Sequence, residues 1–468
     1  MTDSPAHFAL AASPDEDASE AHRLYRSVPG HQRKSHSAHA HKVPGVVAPG
    51  STGVMYVSER AGKNGWSAGD PEWANFGQGA PEVGHIPGSS PRPDLINIAE
   101  LSASAGADVN EYAPTTGVKA LREAVAAYYN ATYRQGKPSQ YTADNVCIVP
   151  GGRAGLTRVT SVLGDVMVSY SVPEYTAYDQ LLSSFRRLVP IPTTLYKEDA
   201  YHLNVSTLEQ NIKDMGLSAV MLSNPHNPTG QVIHGEELKR LVDIARKGTT
   251  MILDEFYEQY VYDLGEGAQV SAAEFIEDVN EDNVILINGL TKVVGPKSLT
   301  DALGQSGGFL DGGASHLLQV AAIPLLSPSH VHSDRLALQR HFRQKRDHVV
   351  ERLRAMGFPV SNAPTSTFYI WLDLEALPKP LSSGMVFFEE CLKEKVIVVP
   401  GQFFDLNPSH RRNLLDAPCN RFVRLSFGPP LGELDRGLDG IQRLVEKARK
   451  HEKEGKNLRE IFGKDLKQ

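Results

Sequence analysis

At 468 residues the chain is long enough for about three structural units, or two if one is a large α/β domain, and 41% apolar with 22% charged residues excludes a disordered or fibrous protein. Its 48 Lys and Arg against 55 Asp and Glu leave a formal charge of -7, which repels phosphate backbones and anionic lipid and favours a small partner over nucleic acid or membrane. Cys147, Cys391 and Cys419 are too few and too far apart for a disulfide framework or a zinc knuckle, so a reducing compartment is expected. No apolar run approaches the ~18 residues that span a bilayer, and the acidic start lacks a secretory pattern, so the expected location is cytoplasmic.

Residues 1–50 are rich in Ala, Ser, Pro and His without helical or strand period, and read as a disordered leader. His31, His36, His39 and His41 lie in it with no Cys or carboxylate among them and no scaffold, so no metal site is expected. Residues 51–105 are expected to complete a small domain whose main part comes later, and residues 106–334 to form the large one. There, short apolar runs alternate with longer amphipathic stretches, the mark of βα units around a mostly parallel sheet sandwiched by helices. The strand candidates are residues 146–149, 165–169, 219–222, 251–253 and 284–287. Residues 335–450 change character: a basic helix over 335–356, strands over 367–374, 396–399 and 422–427, and a helix over 431–451 predict a smaller α+β domain. Residues 451–468 read as a charged, solvated tail.

In open α/β sheets ligands sit beyond the carboxyl ends of the strands, so the residues just after these runs come first. Ser223-Asn224-Pro225-His226-Asn227-Pro228-Thr229-Gly230 follows one of them, and its two Asn-Pro steps and Thr-Gly force a rigid loop with an amide at its centre. The next strand ends in Asp254-Glu255-Phe256-Tyr257, a carboxylate at the tip and a phenol beyond. A further strand ends in Asn288-Gly289-Leu290-Thr291-Lys292 and brings a lysine to the same edge. Taken singly, each could be a turn, a helix cap or a packed ring.

Taken together, Asn-Pro-x-Asn-Pro-Thr-Gly, then Asp-x-x-Tyr, then Lys, resembles the class I/II aminotransferases among the fold type I pyridoxal phosphate enzymes, over about residues 50–450. Val399-Pro400-Gly401 and Arg424 in Phe422-Val423-Arg424-Leu425-Ser426 supply further marks of that family. The resemblance implies pyridoxal phosphate as cofactor, held by Lys292 as a Schiff base, with Asp254 opposite the ring nitrogen, where a negative charge favours the pyridinium. It implies Asn227 and Tyr257 on the ring oxygen and Tyr175 stacked on the ring. The phosphate falls to Gly152, Arg153 and Ala154, which open a helix after a strand, so that backbone N–H groups meet the anion. Tyr112, in Tyr112-Ala113-Pro114-Thr115-Thr116-Gly117, is implied to reach the phosphate of a neighbouring subunit, which makes a homodimer with shared sites. Arg424 is implied to grip the substrate α-carboxylate, and Gly79 to lie in a loop that closes near substrate. The implied reaction moves an amino group between an α-amino acid and a 2-oxo acid. A lyase, decarboxylase or cyclopropane-forming synthase of the same fold stays open.

One departure is plain. In that family the lysine is followed by a Gly-x-Arg element whose arginine binds the cofactor phosphate, whereas here Lys292 runs into Val293-Val294-Gly295-Pro296-Lys297 and no arginine occurs before Arg335. Relative to that pattern about ten residues are missing. Gly289 also stands where the family has a serine. Loss of a charge-assisted phosphate pair costs about 2–5 kcal/mol in a buried site, so weak cofactor binding or an impaired isoform is expected as an alternative. Lys292 rather than Lys297 is taken as the Schiff-base residue, because Gly-Pro-Lys starts a turn.

Overall fold

The computed structural model describes residues 53–463 apart from 83, 290 and 414–416. The leader and its histidines lie outside the described residues, as do residues 464–468. Strand β1 (Ala74–Asn75) stands apart from the large sheet, which takes β2 (Val146–Ile148), β3 (Val166–Val172), β4 (Leu188–Thr194), β5 (Ala219–Ser223), β6 (Thr250–Asp254), β7 (Val284–Asn288) and β8 (Lys292–Val294). This 7-stranded sheet has the order β2-β8-β7-β6-β5-β3-β4. Strands β3 to β7 are parallel, and β8 runs antiparallel to both of its neighbours, β2 and β7. Every residue of β5 and β7 is buried, which suits runs that are apolar on both faces.

Helices α1 (Lys119–Tyr133), α2 (Gly152–Val162), α3 (Ala177–Ser184), α4 (Val205–Met215), α5 (Gly235–Arg246) and α6 (Lys297–Leu310) accompany the sheet. The strand alternation sorts its side chains into two cores. Leu222, Leu253, Leu286 and Val294 share one with Tyr129 of α1. Met221, Ile252, Ile287 and Val293 share the other with Leu156 and Val159 of α2 and with Tyr178 of α3. Helix α2 lies close to the sheet: a Cβ on Gly155 would come 3.1 Å from Val293 Cγ2, a tight contact that would push the valine aside by a few tenths of an ångström.

After α7 (Pro328–Ala355) come β9 (Tyr369–Asp373), β10 (Val396–Ile397), β11 (Val399–Pro400), β12 (Phe422–Ser426) and α8 (Leu431–Lys453). Strands β11, β12 and β9 form an antiparallel sheet, while β10 pairs in parallel with β1, tying the start of the described chain to its last part.

Several expectations need correction. The helix expected from residue 335 begins at Pro328, where proline at a first-turn position loses no helical hydrogen bond. Residues 396–399 form two short strands rather than one. Residues 451–463 are not a solvated tail: α8 continues to Lys453, and a further short helix, Leu458–Ile461, brings Leu458 and Phe462 into the core. Among the described residues no helix is long and apolar enough to cross a membrane.

Candidate active site

The loop after β5 is braced from below. Glu174, fully buried, accepts from Ser223 Oγ at 2.5 Å and from the Tyr175 amide at 2.9 Å, and Ser223 Oγ in turn accepts from the Asn227 amide at 3.1 Å. Asn224 closes the loop by exchanging two hydrogen bonds with the Ile233 backbone, at 2.8 and 2.9 Å. Gly230 ends it at φ +71°, where a Cβ would collide with Pro364.

This frame fixes Asn227 between two partners. Its Oδ1 accepts from Arg424 Nη1 at 3.1 Å and its Nδ2 donates to Tyr257 OH at 3.4 Å, while Tyr257 OH donates to Tyr369 OH at 3.2 Å. Arg424, on β12, is 1% exposed; its Nη2 donates to Gly77 O at 3.1 Å, and its guanidinium lies 4.1 Å from the Tyr369 ring centroid and 5.0 Å from that of Phe404. Two aromatic faces and two acceptors compensate a buried cation. Its Nε is buried without a hydrogen-bond partner. Gly79 lies alongside, since a Cβ there would be 3.6 Å from Tyr369 OH.

A second group adjoins the tip of β6. Asp254 accepts from Tyr178 OH at 3.2 Å and from the Phe256 amide at 3.3 Å. Burial pushes its carboxyl up to about 7 against the pull of the Phe256 amide, and the charge of Glu174 adds to the rise. Tyr175 meets Tyr178 edge-on at 5.6 Å, and its OH accepts from Arg153 Nε at 3.1 Å. Gly152, Arg153 and Ala154 form the first turn of α2, after Gly151 at φ +120°. Arg153 is exposed there, beside the expected ring-stacking tyrosine.

Lys292 does not join these groups. It is the first residue of β8, paired with Asn288 on one side and Ile148 on the other, and its side chain takes the Tyr129 face with Val294 while Val293 takes the Tyr178 face. Its Nζ donates to Gly289 O at 2.8 Å and stands 5.5 Å from the Tyr129 centroid. Lys297 starts α6, half-exposed and bonded to Asp301 at 3.2 Å. Tyr112 is 92% exposed and takes no part in the network within its own chain. Sequence reasoning missed Tyr369, Tyr178, Phe404 and Glu174. For two of them a signal was present, since Glu174 precedes Tyr175 and Tyr178 follows it at helical spacing.

Residues 72–441 match the family described as aminotransferase class I and II. The chain belongs to that family. An aspartate aminotransferase of Sulfolobus acidocaldarius is 26% identical over 392 residues, covering 80% of this chain and 89% of the relative. One of Streptomyces avermitilis is 24% identical over 438 residues, covering 86% and 96%. The solved aspartate aminotransferase from Thermus thermophilus with maleate shares the fold at a TM-score of 0.68 and 20% identity, over 86% of this chain and all of that one. An aminotransferase from Mycobacterium tuberculosis does so at 0.68 and 22%, over 88% and 100%. The chain is thus an enzyme of the aminotransferase kind, with the α/β fold of those neighbours.

Members of this aminotransferase family work with pyridoxal phosphate, and the described residues fit it in part. A loosely held carboxyl at the end of a parallel strand suits a ring nitrogen, and a buried guanidinium with a free N–H suits a carboxylate. A covalent link through Lys292 does not fit, because that amine lies on the other side of the sheet.

Proposed function

We propose that this aminotransferase takes up pyridoxal phosphate on the Asp254 side of the sheet and binds α-amino acids and 2-oxo acids by their carboxylate at Arg424. The observation that carries the reading is Arg424: a guanidinium 1% exposed, anchored on Asn227 and Gly77, with its Nε unpaired. A carboxylate there would satisfy that N–H and neutralise a buried charge, a gain that a neutral ligand does not offer.

The cofactor, when bound, supplies an electron sink for the substrate α-carbon. The chain's own residues do the rest. Asp254, held near neutral protonation by burial, ionises when a cation comes beside it and so favours a protonated ring nitrogen. Asn227 and Tyr257, already linked to each other, are the donors for a ring oxygen. Arg153 and the first turn of α2 are the groups for the phosphate. The exposure of Tyr112 supports a homodimer in which it leaves its own subunit.

The test is Arg424→Lys, which keeps the charge and loses the planar fork. Affinity for α-amino acids, read by cofactor absorbance, is expected to fall at least about tenfold, while affinity for the cofactor alone stays within about twofold. A matched amine without a carboxylate should react alike with both proteins. Unchanged amino-acid affinity would sink the assignment of Arg424.

A further inference from the structure

Lys292 is 3% exposed and sits in the backbone ladder between two strands, opposite Ile148 and Asn288, while the Val149 amide donates to Thr291 O at 2.8 Å. Only residues 289–291 separate β7 from β8 in the sequence, and the Lys292 ammonium donates to Gly289 O at 2.8 Å. The chamber around it is aromatic and acidic. Tyr129 presents its ring, and its OH accepts from Asn288 Nδ2 at 3.3 Å. Beside it Glu258 accepts from Tyr133 OH at 3.0 Å and Tyr128 OH at 3.2 Å. Burial holds the ammonium below the usual lysine range, against the pull of Glu258 and then Glu255.

Reaching the Asp254 side would take more than a rotamer change. Side chains of β8 alternate between the two cores, so turning Lys292 over means inverting the strand and expelling Val293 from its contact with Gly155. Both ladders would be lost at the same time. We propose that Lys292 is a structural lysine in this chain, bonded to Gly289 O against the Tyr129 face, and that pyridoxal phosphate taken up on the Asp254 side is held without a covalent bond to it. Two nearby lysines, Lys292 and Lys297, then differ in kind: one is part of the sheet, the other a half-exposed helix-end cation.

The proposal is tested first on the cofactor-free chain, so that it is judged apart from the cofactor reading. Brief acetylation of the native protein with acetic anhydride, mapped by mass spectrometry, should modify Lys292 at least about tenfold more slowly than Lys297, the difference vanishing in denaturant. Comparable native rates would overturn the proposal. In a second arm the protein is mixed with pyridoxal phosphate and reduced with borohydride. The peptide containing Lys292 should carry no pyridoxyl mass, and a near-stoichiometric label there would overturn the proposal even if acetylation were slow.

Discussion

Asp254 and Glu255 are adjacent carboxyls on opposite sides of one sheet. Both are raised by burial, Asp254 to about 7 and Glu255 to about 8, yet their hydrogen bonds differ. Glu255 accepts from Ser271 Oγ at 2.5 Å and from the Ala272 amide at 2.7 Å, short bonds within a packed core. Asp254 accepts at 3.2 and 3.3 Å from a tyrosine and from an amide two residues on. The Glu255 side is closed on itself, with Lys292 and the tyrosines of α1 among its members. The Asp254 side, held by longer bonds, is where the ligand is proposed to bind. Neighbouring carboxyls with similarly weakened acidity therefore have different uses, and bond quality rather than burial tells them apart.

Removing each group in turn sharpens this contrast. The largest effect is expected for Glu255→Ala, which strands the Ser271 hydroxyl and the Ala272 amide in the core and should cost about 2–4 kcal/mol in urea unfolding of the cofactor-free protein. A loss no greater than that of Asp254→Ala would erase the distinction between the two sides.

Next comes Asp254→Asn, expected to stabilise the cofactor-free chain at pH 8 by on the order of 1 kcal/mol. Between the usual carboxylate value near ~3.9 and the folded value of about 7, the native state keeps a proton that the unfolded chain has released. This group's contribution is therefore intact below the unfolded value and lost as pH rises through the folded one. The variant should flatten that fall in thermal scans, leaving the part due to Glu255, which extends to about 8. An unaltered pH profile would mean that Asp254 is well solvated. The smallest effect belongs to Tyr178→Phe, which takes one donor from Asp254. It should raise the carboxyl's midpoint further and cost about 0.5 kcal/mol above that midpoint, as read by NMR titration.

Four of the five parallel strands, β3, β5, β6 and β7, were legible as apolar runs, and the fifth candidate run became β2, which pairs antiparallel with β8. Strand β4 escaped notice because Pro190 and Pro192 argue against a ladder; among the described residues it lies at the sheet edge beside β3 and so tolerates their missing N–H groups. Strand β8 escaped notice because Lys292 read as the end of one strand, whereas it begins the next. In the site, Asn227 and Tyr257 follow strand ends, while Arg424 was brought to them only by the resemblance to the family, and the structure joins all three directly. Tyr369 was out of reach of such reasoning. Its bond to Tyr257 spans 112 residues, and nothing in the local pattern of β9 sets it apart from an ordinary buried strand position.

The position of β8 also bears on how the chain assembles. Among the described residues β2 pairs with no strand but β8, so Val146, Cys147 and Ile148 have no strand ladder to join until residues 292–294 have been synthesised. During that interval β3 to β7 can pair among themselves, while β2 waits as an unpaired apolar segment. The arrival of β8 is then the closing event, a contact between residues far apart in the chain that completes both of its ladders in one step. Such late, long-range pairing is slow and leaves an edge open to association with other chains, so the yield of native protein should depend on how quickly three residues find their place.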